Sequence, residues 1–122
     1  MILTVIGIGL IGGSMAMELK QKKFCSKVIG VDSNINHQKI ALNKKIVDEI
    51  HSLEQAIIMS DIVLISIPVD NTSNVLKEVL DLVDKQIVLD VGSIKEKVTQ
   101  YVNSHPKRKN FVATHPIAGT EF

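Results

Sequence analysis

Several groups of residues in this chain have the types and spacing to do chemistry. The first is Gly7-Ile8-Gly9-Leu10-Ile11-Gly12. Glycines at these three positions allow a tight turn, a close backbone approach to a pyrophosphate and tight helix–strand packing, in that order. The free N–H groups at a helix start near Leu10 and Ile11 would then face the phosphates. Asp32 follows about 20 residues after Gly12, at the end of a second apolar run. A carboxylate there accepts a hydrogen bond from a ribose 2′-hydroxyl and repels a 2′-phosphate. No arginine stands directly after Asp32 to reverse that preference. The combined pattern predicts a dinucleotide site that takes NAD in preference to NADP. The structural alternative is a glycine turn and an unrelated strand-end aspartate.

Three further segments stop apolar runs with polar residues. Ser66-Ile67-Pro68 ends one of them, and in an open parallel sheet the carboxyl ends of strands face the ligand crevice. Ser66 and Pro68 are therefore cofactor-contact candidates, with a plain strand stop as the alternative. Asp90-Val91-Gly92-Ser93-Ile94-Lys95 ends another, where Ser93 has capping-box spacing to Glu96. A capping role leaves Ser93 free to touch ligand at the same crevice. Lys95 reads as a solvated lysine at a helix start. His115-Pro116-Ile117-Ala118-Gly119-Thr120-Glu121 follows the last apolar run. An imidazole at a strand mouth is suited to accept a proton, and a structural loop histidine is the alternative. His37, His51 and His105 read as surface residues, and the run Lys107-Arg108-Lys109 as a solvated loop.

The elements that must position these groups alternate regularly. Strands are expected at Leu3–Ile8, Val28–Val31, weakly at Ile46–Asp48, and at Ile62–Ile67, Ile87–Gly92 and Phe111–Ala113. They are apolar on both faces, as buried parallel strands are. Helices are expected at about Leu10–Lys22, Ile35–Asn43, from Ser52, through Val75–Val83, and from Ser93 to about Asn103. Lys20, Lys22 and Lys23 sit where cations favour the end of the first helix. This alternation predicts an α/β fold, a doubly wound parallel sheet of about six strands with crossover helices.

Composition narrows the function classes. The chain has 122 residues, 45% hydrophobic and 22% charged, which is one ordinary globular domain. Fourteen basic against 13 acidic residues, net +1, argue against a polyanion binder acting through bulk charge. A single cysteine, Cys25, excludes an internal disulfide and a multi-cysteine zinc site, and no metal site is expected. Cys25 has no neighbour that suggests activation. The uncharged stretch Met1–Met17 lacks a basic leader and is broken by glycines. It therefore reads neither as a signal peptide nor as a membrane span, and a cytoplasmic protein is expected.

With these motifs in order, the sequence resembles the prephenate dehydrogenase family. The segments that carry the resemblance are GIGLIGGS (Gly7 to Ser14), DVGSIK (Asp90 to Lys95) and HPIAGTE (His115 to Glu121). The first is shared by many dehydrogenases, and the other two are far more specific. The resemblance implies a Rossmann-like domain over residues 1–122 that binds NAD. It also implies NAD-dependent oxidative decarboxylation of prephenate to 4-hydroxyphenylpyruvate, in tyrosine biosynthesis. His115 matches the family's catalytic histidine, Ser93 the serine that orients it, and Thr120 and Glu121 a segment lining the substrate pocket. A C-terminal helical domain, which in the family dimerises and helps hold substrate, is not in this sequence. The chain is therefore expected to be the cofactor half of a longer homodimeric protein, inactive by itself.

Arogenate dehydrogenases share the same motifs and stay open as an alternative. A non-enzymatic regulatory nucleotide-binding module and a β-hydroxyacid-type reductase are the others. Neither of these two has a reason to carry HPIAGTE.

Overall fold

The computed structural model describes residues 1–8, 10–67, 69–91 and 105–114. The elements run β1 (Ile2–Ile6), α1 (Leu10–Gln21), β2 (Lys27–Val31), α2 (Ile35–Asn43), β3 (Glu49–Ile50), α3 (Leu53–Met59), β4 (Ile62–Ile65), α4 (Val69–Leu82), β5 (Ile87–Val91) and β6 (Phe111–Thr114). A 3₁₀ turn over Arg108–Asn110 leads into β6.

All six strands are parallel, in the order β3-β2-β1-β4-β5-β6. The chain winds outward from β1 in one direction, then restarts at β4 and winds in the other. The β1–β4 seam is thus the switch point, where a doubly wound sheet opens its ligand crevice. Along the seam Ile6 stands beside both Val31 and Ile65, so three strand ends reach the same level.

The central strands are buried on both faces because helices cover both. On one face Ile6, Val63, Ile65 and Val88 pack with Leu76, Val79 and Leu80 of α4 and Ile57 of α3. On the other, Leu3, Val5, Val28 and Leu64 pack with Ala16 of α1 and Ala41 of α2. Val5 and Ile6 belong to opposite clusters, as the two-residue period of a strand requires. The buried Thr4 hydroxyl donates to the Ala56 carbonyl at 3.1 Å, which ties α3 to β1.

The elements differ from expectation in a few places. The third strand is Glu49–Ile50 and not Ile46–Asp48. Ile46 N–H and Val47 N–H are taken by the Ala41 carbonyl at the end of α2, so those residues close the helix. Asp48 begins the pairing with β2 twice over: its N–H donates to the Val28 carbonyl, and its carboxylate accepts from Val28 N–H. Burial would raise the Asp48 carboxyl, but hydrogen bonds from Lys20 and Val28 prevail and lower it. β4 ends at Ile65 and not Ile67, and α4 begins at Val69, a turn and a half before the Val75 periodicity. The helix expected from Ser93 lies outside the described residues.

Three residues read as surface or solvated make specific contacts. His51 Nε2 lies 2.7 Å from Glu49 Oε1 and is half-buried. His105 Nε2 lies 2.8 Å from Asp81 Oδ1, with its side chain only 13% exposed. Lys107 donates to the Val83 carbonyl just past α4, while Arg108 and Lys109 are exposed as expected. The His51 pair is local; for His105 and Lys107 the reason is tertiary, since the approach to β6 runs back across the end of α4, whose last carbonyls need donors.

Candidate functional site

The site grows from the turn after β1. Gly7 has φ +88°, and a Cβ there would lie 2.2 Å from the Ser66 carbonyl oxygen. Only glycine satisfies both constraints. The turn is tied down on each side: Gly7 N–H donates to the Val31 carbonyl and Ser66 N–H to the Ile6 carbonyl, both at 2.8 Å. α1 starts directly behind it. A Cβ at Gly12 would stand 2.6 Å from the Gly7 carbonyl, so the third glycine lets the helix approach the turn.

Asp32 lies just past the end of β2, its side chain 9% exposed. Its Oδ2 accepts from Ile8 N–H at 2.9 Å, and Oδ1 accepts from Asn34 N–H at 2.8 Å. His37 Nδ1 lies 3.2 Å from Oδ2. Asn34 caps α2, its side chain accepting from His37 N–H at 3.1 Å. Ser52 caps α3 in the same manner, accepting from Gln55 N–H at 3.4 Å, as its capping-box spacing predicts.

These parts surround one cavity of about 570 Å³, lined by Gly7, Asp32, Ser33, His37, Ser66 and Asn74 on its polar side. Ile6, Val31, Leu53, Ile67 and Val75 make the apolar side. The volume is that of an ordinary small-molecule or cofactor site. A slot with apolar walls and one carboxylate fits the adenosine end of a dinucleotide, with the base on the walls and the ribose at Asp32.

Of the residues singled out in the sequence, Gly7, Asp32 and Ser66 line this cavity, and Gly12 supports its turn. Leu10 and Ile11 form the first turn of α1. Gly9, Pro68, Ser93, His115, Thr120 and Glu121 lie outside the described residues.

His37 was read as a surface residue and is exposed, and its ring also lies against the Asp32 carboxylate and lines the cavity. The first turn of a helix brings residue 37 back over the strand end, so its spacing from Asp32 could have revealed it. Leu53, Asn74 and Val75 come from α3 and α4, and nothing in the local sequence marks them.

Two titratable groups have perturbed environments nearby or in the core. Asp90, next to last in β5 and paired in register with Ile65, is buried, and burial pushes its carboxyl up to about 6. Cys25 is buried in the core, and that burial raises its thiol, in keeping with an unactivated cysteine. Among the described residues no helix is long and apolar enough to cross a membrane, and no group of three or more His, Cys, Asp or Glu could hold a metal ion.

Comparison with known proteins agrees with this geometry. The family described as "Prephenate dehydrogenase, nucleotide-binding domain" matches residues 15–122. A prephenate dehydrogenase of Bacillus subtilis is 33% identical over 118 residues, covering 93% of this chain and 32% of that protein. A crystal structure of prephenate dehydrogenase from Aquifex aeolicus, in complex with hydroxyphenyl propionate and NAD+, superposes with a TM-score of 0.83 at 34% identity. It covers 99% of this chain and 43% of the other. An arogenate dehydrogenase from Synechocystis superposes at 0.77 with 25% identity, covering 94% of this chain and 40% of the other. The chain spans about a third of the length of the curated relatives it matches.

Proposed function

The chain belongs to the family of prephenate dehydrogenase nucleotide-binding domains, and from that membership we propose that it binds NAD as the cofactor half of a prephenate dehydrogenase. The reaction is oxidative decarboxylation of prephenate to 4-hydroxyphenylpyruvate, a step of tyrosine biosynthesis in the cytoplasm. The observation that carries this reading is the cavity at the β1–β4 seam, with the Gly7 turn at its head and the Asp32 carboxylate in its wall.

NAD supplies the hydride acceptor when bound. The residues of this chain do the rest of the work proposed here. Gly7, Gly9 and Gly12, with the N–H groups at Leu10 and Ile11, leave the backbone bare for the pyrophosphate. Asp32 accepts from the ribose and disfavours a 2′-phosphate. Ser66 and Pro68 border the cofactor at the end of β4. By the family resemblance, His115 accepts the proton of the substrate's ring hydroxyl, Ser93 orients His115, and Thr120 and Glu121 line the substrate pocket. Aromatisation of the ring drives the loss of carbon dioxide.

We further propose that a helical domain beyond residue 122 completes the substrate site and makes the protein a homodimer. Residues 1–122 alone then bind cofactor without turnover. Arogenate is a second substrate reading, favoured by the likeness to the Synechocystis enzyme.

The test is to titrate the protein with NAD⁺ and NADP⁺ by calorimetry, and to assay the full-length enzyme with prephenate and arogenate. Tighter NAD⁺ binding and NAD⁺ reduction with prephenate are expected. Reduction with arogenate alone would move the assignment to the second reading, and absence of nucleotide binding would overturn both.

A further inference from the structure

We propose that His37 is a specificity-determining residue of the nucleotide site, setting how strictly Asp32 separates a ribose 2′-hydroxyl from a 2′-phosphate. The inference rests on the reading of this cavity as an NAD site and assigns a role that the glycine–aspartate pattern does not contain.

The argument starts from the acceptor capacity of Asp32. An ionised carboxylate has about four lone-pair sites. Three donors already address this one: Ile8 N–H, Asn34 N–H and His37 Nδ1. One site is left for a ligand hydroxyl. Two of the three donors belong to the backbone and are fixed by the turn and by the cap of α2. His37 is the only side chain among them. It is 49% exposed and lines the same cavity as Asp32.

Because a carboxylate only accepts, the contact requires the proton on His37 Nδ1, which leaves Nε2 as an acceptor in the neutral ring. The ring therefore does two things. Its Nδ1–H draws off part of the negative charge that Asp32 would present to a 2′-phosphate. It also occupies the acceptor site that a second ribose hydroxyl would otherwise use. The strictness of the site is thus a property of the pair.

The test uses the full chain with three substitutions at position 37. His37→Leu removes the donor and returns the whole charge of Asp32 to the cavity. His37→Asn places an amide N–H where Nδ1 stands. His37→Lys adds a fixed positive charge beside the 2′-position. Calorimetric dissociation constants for NAD⁺ and NADP⁺ give the ratio Kd(NADP⁺)/Kd(NAD⁺) for each.

The ratio is expected to rise severalfold in H37L and to stay within about twofold of wild type in H37N. In H37K it should fall by roughly tenfold, the effect of one partly screened charge a few ångströms from another. Equal ratios in wild type and H37L, with NAD⁺ binding retained, would overturn the role of His37 and leave the NAD site standing. A wild type that binds neither nucleotide would overturn both. If H37L does not fold, His37→Ala removes the same donor, and its ratio against that of H37N decides the question: a rise supports the role of His37 and equality overturns it.

Discussion

The Asp32 carboxylate accepts a hydrogen bond from Ile8 N–H at 2.9 Å. The acid expected to read a ribose therefore also fastens the glycine turn to the end of β2. Ile8 is itself buried.

The two roles of Asp32 separate by substitution. Asp32→Asn keeps an oxygen for Ile8 N–H and removes the charge. It also turns an amide N–H toward the Asn34 N–H that Oδ1 accepts from, so it should lose about 1 kcal/mol of stability and narrow the preference for NAD⁺ over NADP⁺. Asp32→Ala also strands the N–H, which costs about 1–3 kcal/mol. Urea unfolding beside nucleotide titration checks both, and an unchanged preference in either variant counts against the ribose contact.

Gly7→Ala is expected to destabilise the protein by more than about 2 kcal/mol and to abolish nucleotide binding. The strain has two sources, a φ of +88° and a Cβ only 2.2 Å from a backbone oxygen that cannot swing aside. Thermal unfolding of the variant measures the first effect, and calorimetry the second.

Asp90 gives the stability a pH dependence of definite sign. Burial raises its carboxyl in the folded protein from 3.8 to about 6. The unfolded chain therefore releases this proton first as pH rises. The contribution of Asp90 is fully present below about pH 4 and is lost as pH climbs through 6. That difference corresponds to about 3 kcal/mol. Denaturant unfolding at pH 4 to 8 should show Asp90→Asn gaining on the wild type through that window. Parallel curves would place the titration elsewhere.

His115→Asn in the full-length enzyme should lower kcat by about 10²–10⁴, the usual effect of removing an acid–base group. NAD⁺ affinity should be preserved. Steady-state kinetics with prephenate decide it, and a variant within threefold of wild type would remove His115 from the mechanism.

Cys25 should react with a thiol reagent only when the fold opens, because it is buried and its thiol is raised. Mass-spectrometric labelling with and without urea tests this. Rapid labelling of the folded protein would contradict its place in the core.

The sheet and the glycine turn of the site are legible in the residues themselves. Runs such as Val63-Leu64-Ile65 are apolar at every position, and only a strand covered on both faces buries such a run. Gly7, Gly12 and Asp32 were legible because their constraint is local: a turn, a close approach and a strand end within one βαβ unit. Short polar elements were less so. Glu49–Ile50 could not be placed from its own residues, because pairing there depends on Asp48 reaching Val28 across twenty residues of chain.

The tertiary structure alone decided who else meets at the crevice. His37 is the exception, a local contact: the cap at Asn34 turns the first turn of α2 back toward Asp32, five residues earlier. Leu53, Asn74 and Val75 arrive because α3, which leads into β4, and α4, which leaves it, lie along one face of the sheet. His105 and Lys107 are likewise pinned because the chain crosses the end of α4 before β6. Periodicity records which face of an element is buried. It carries no record of which distant element supplies the opposite wall, since that follows from strand order and helix packing.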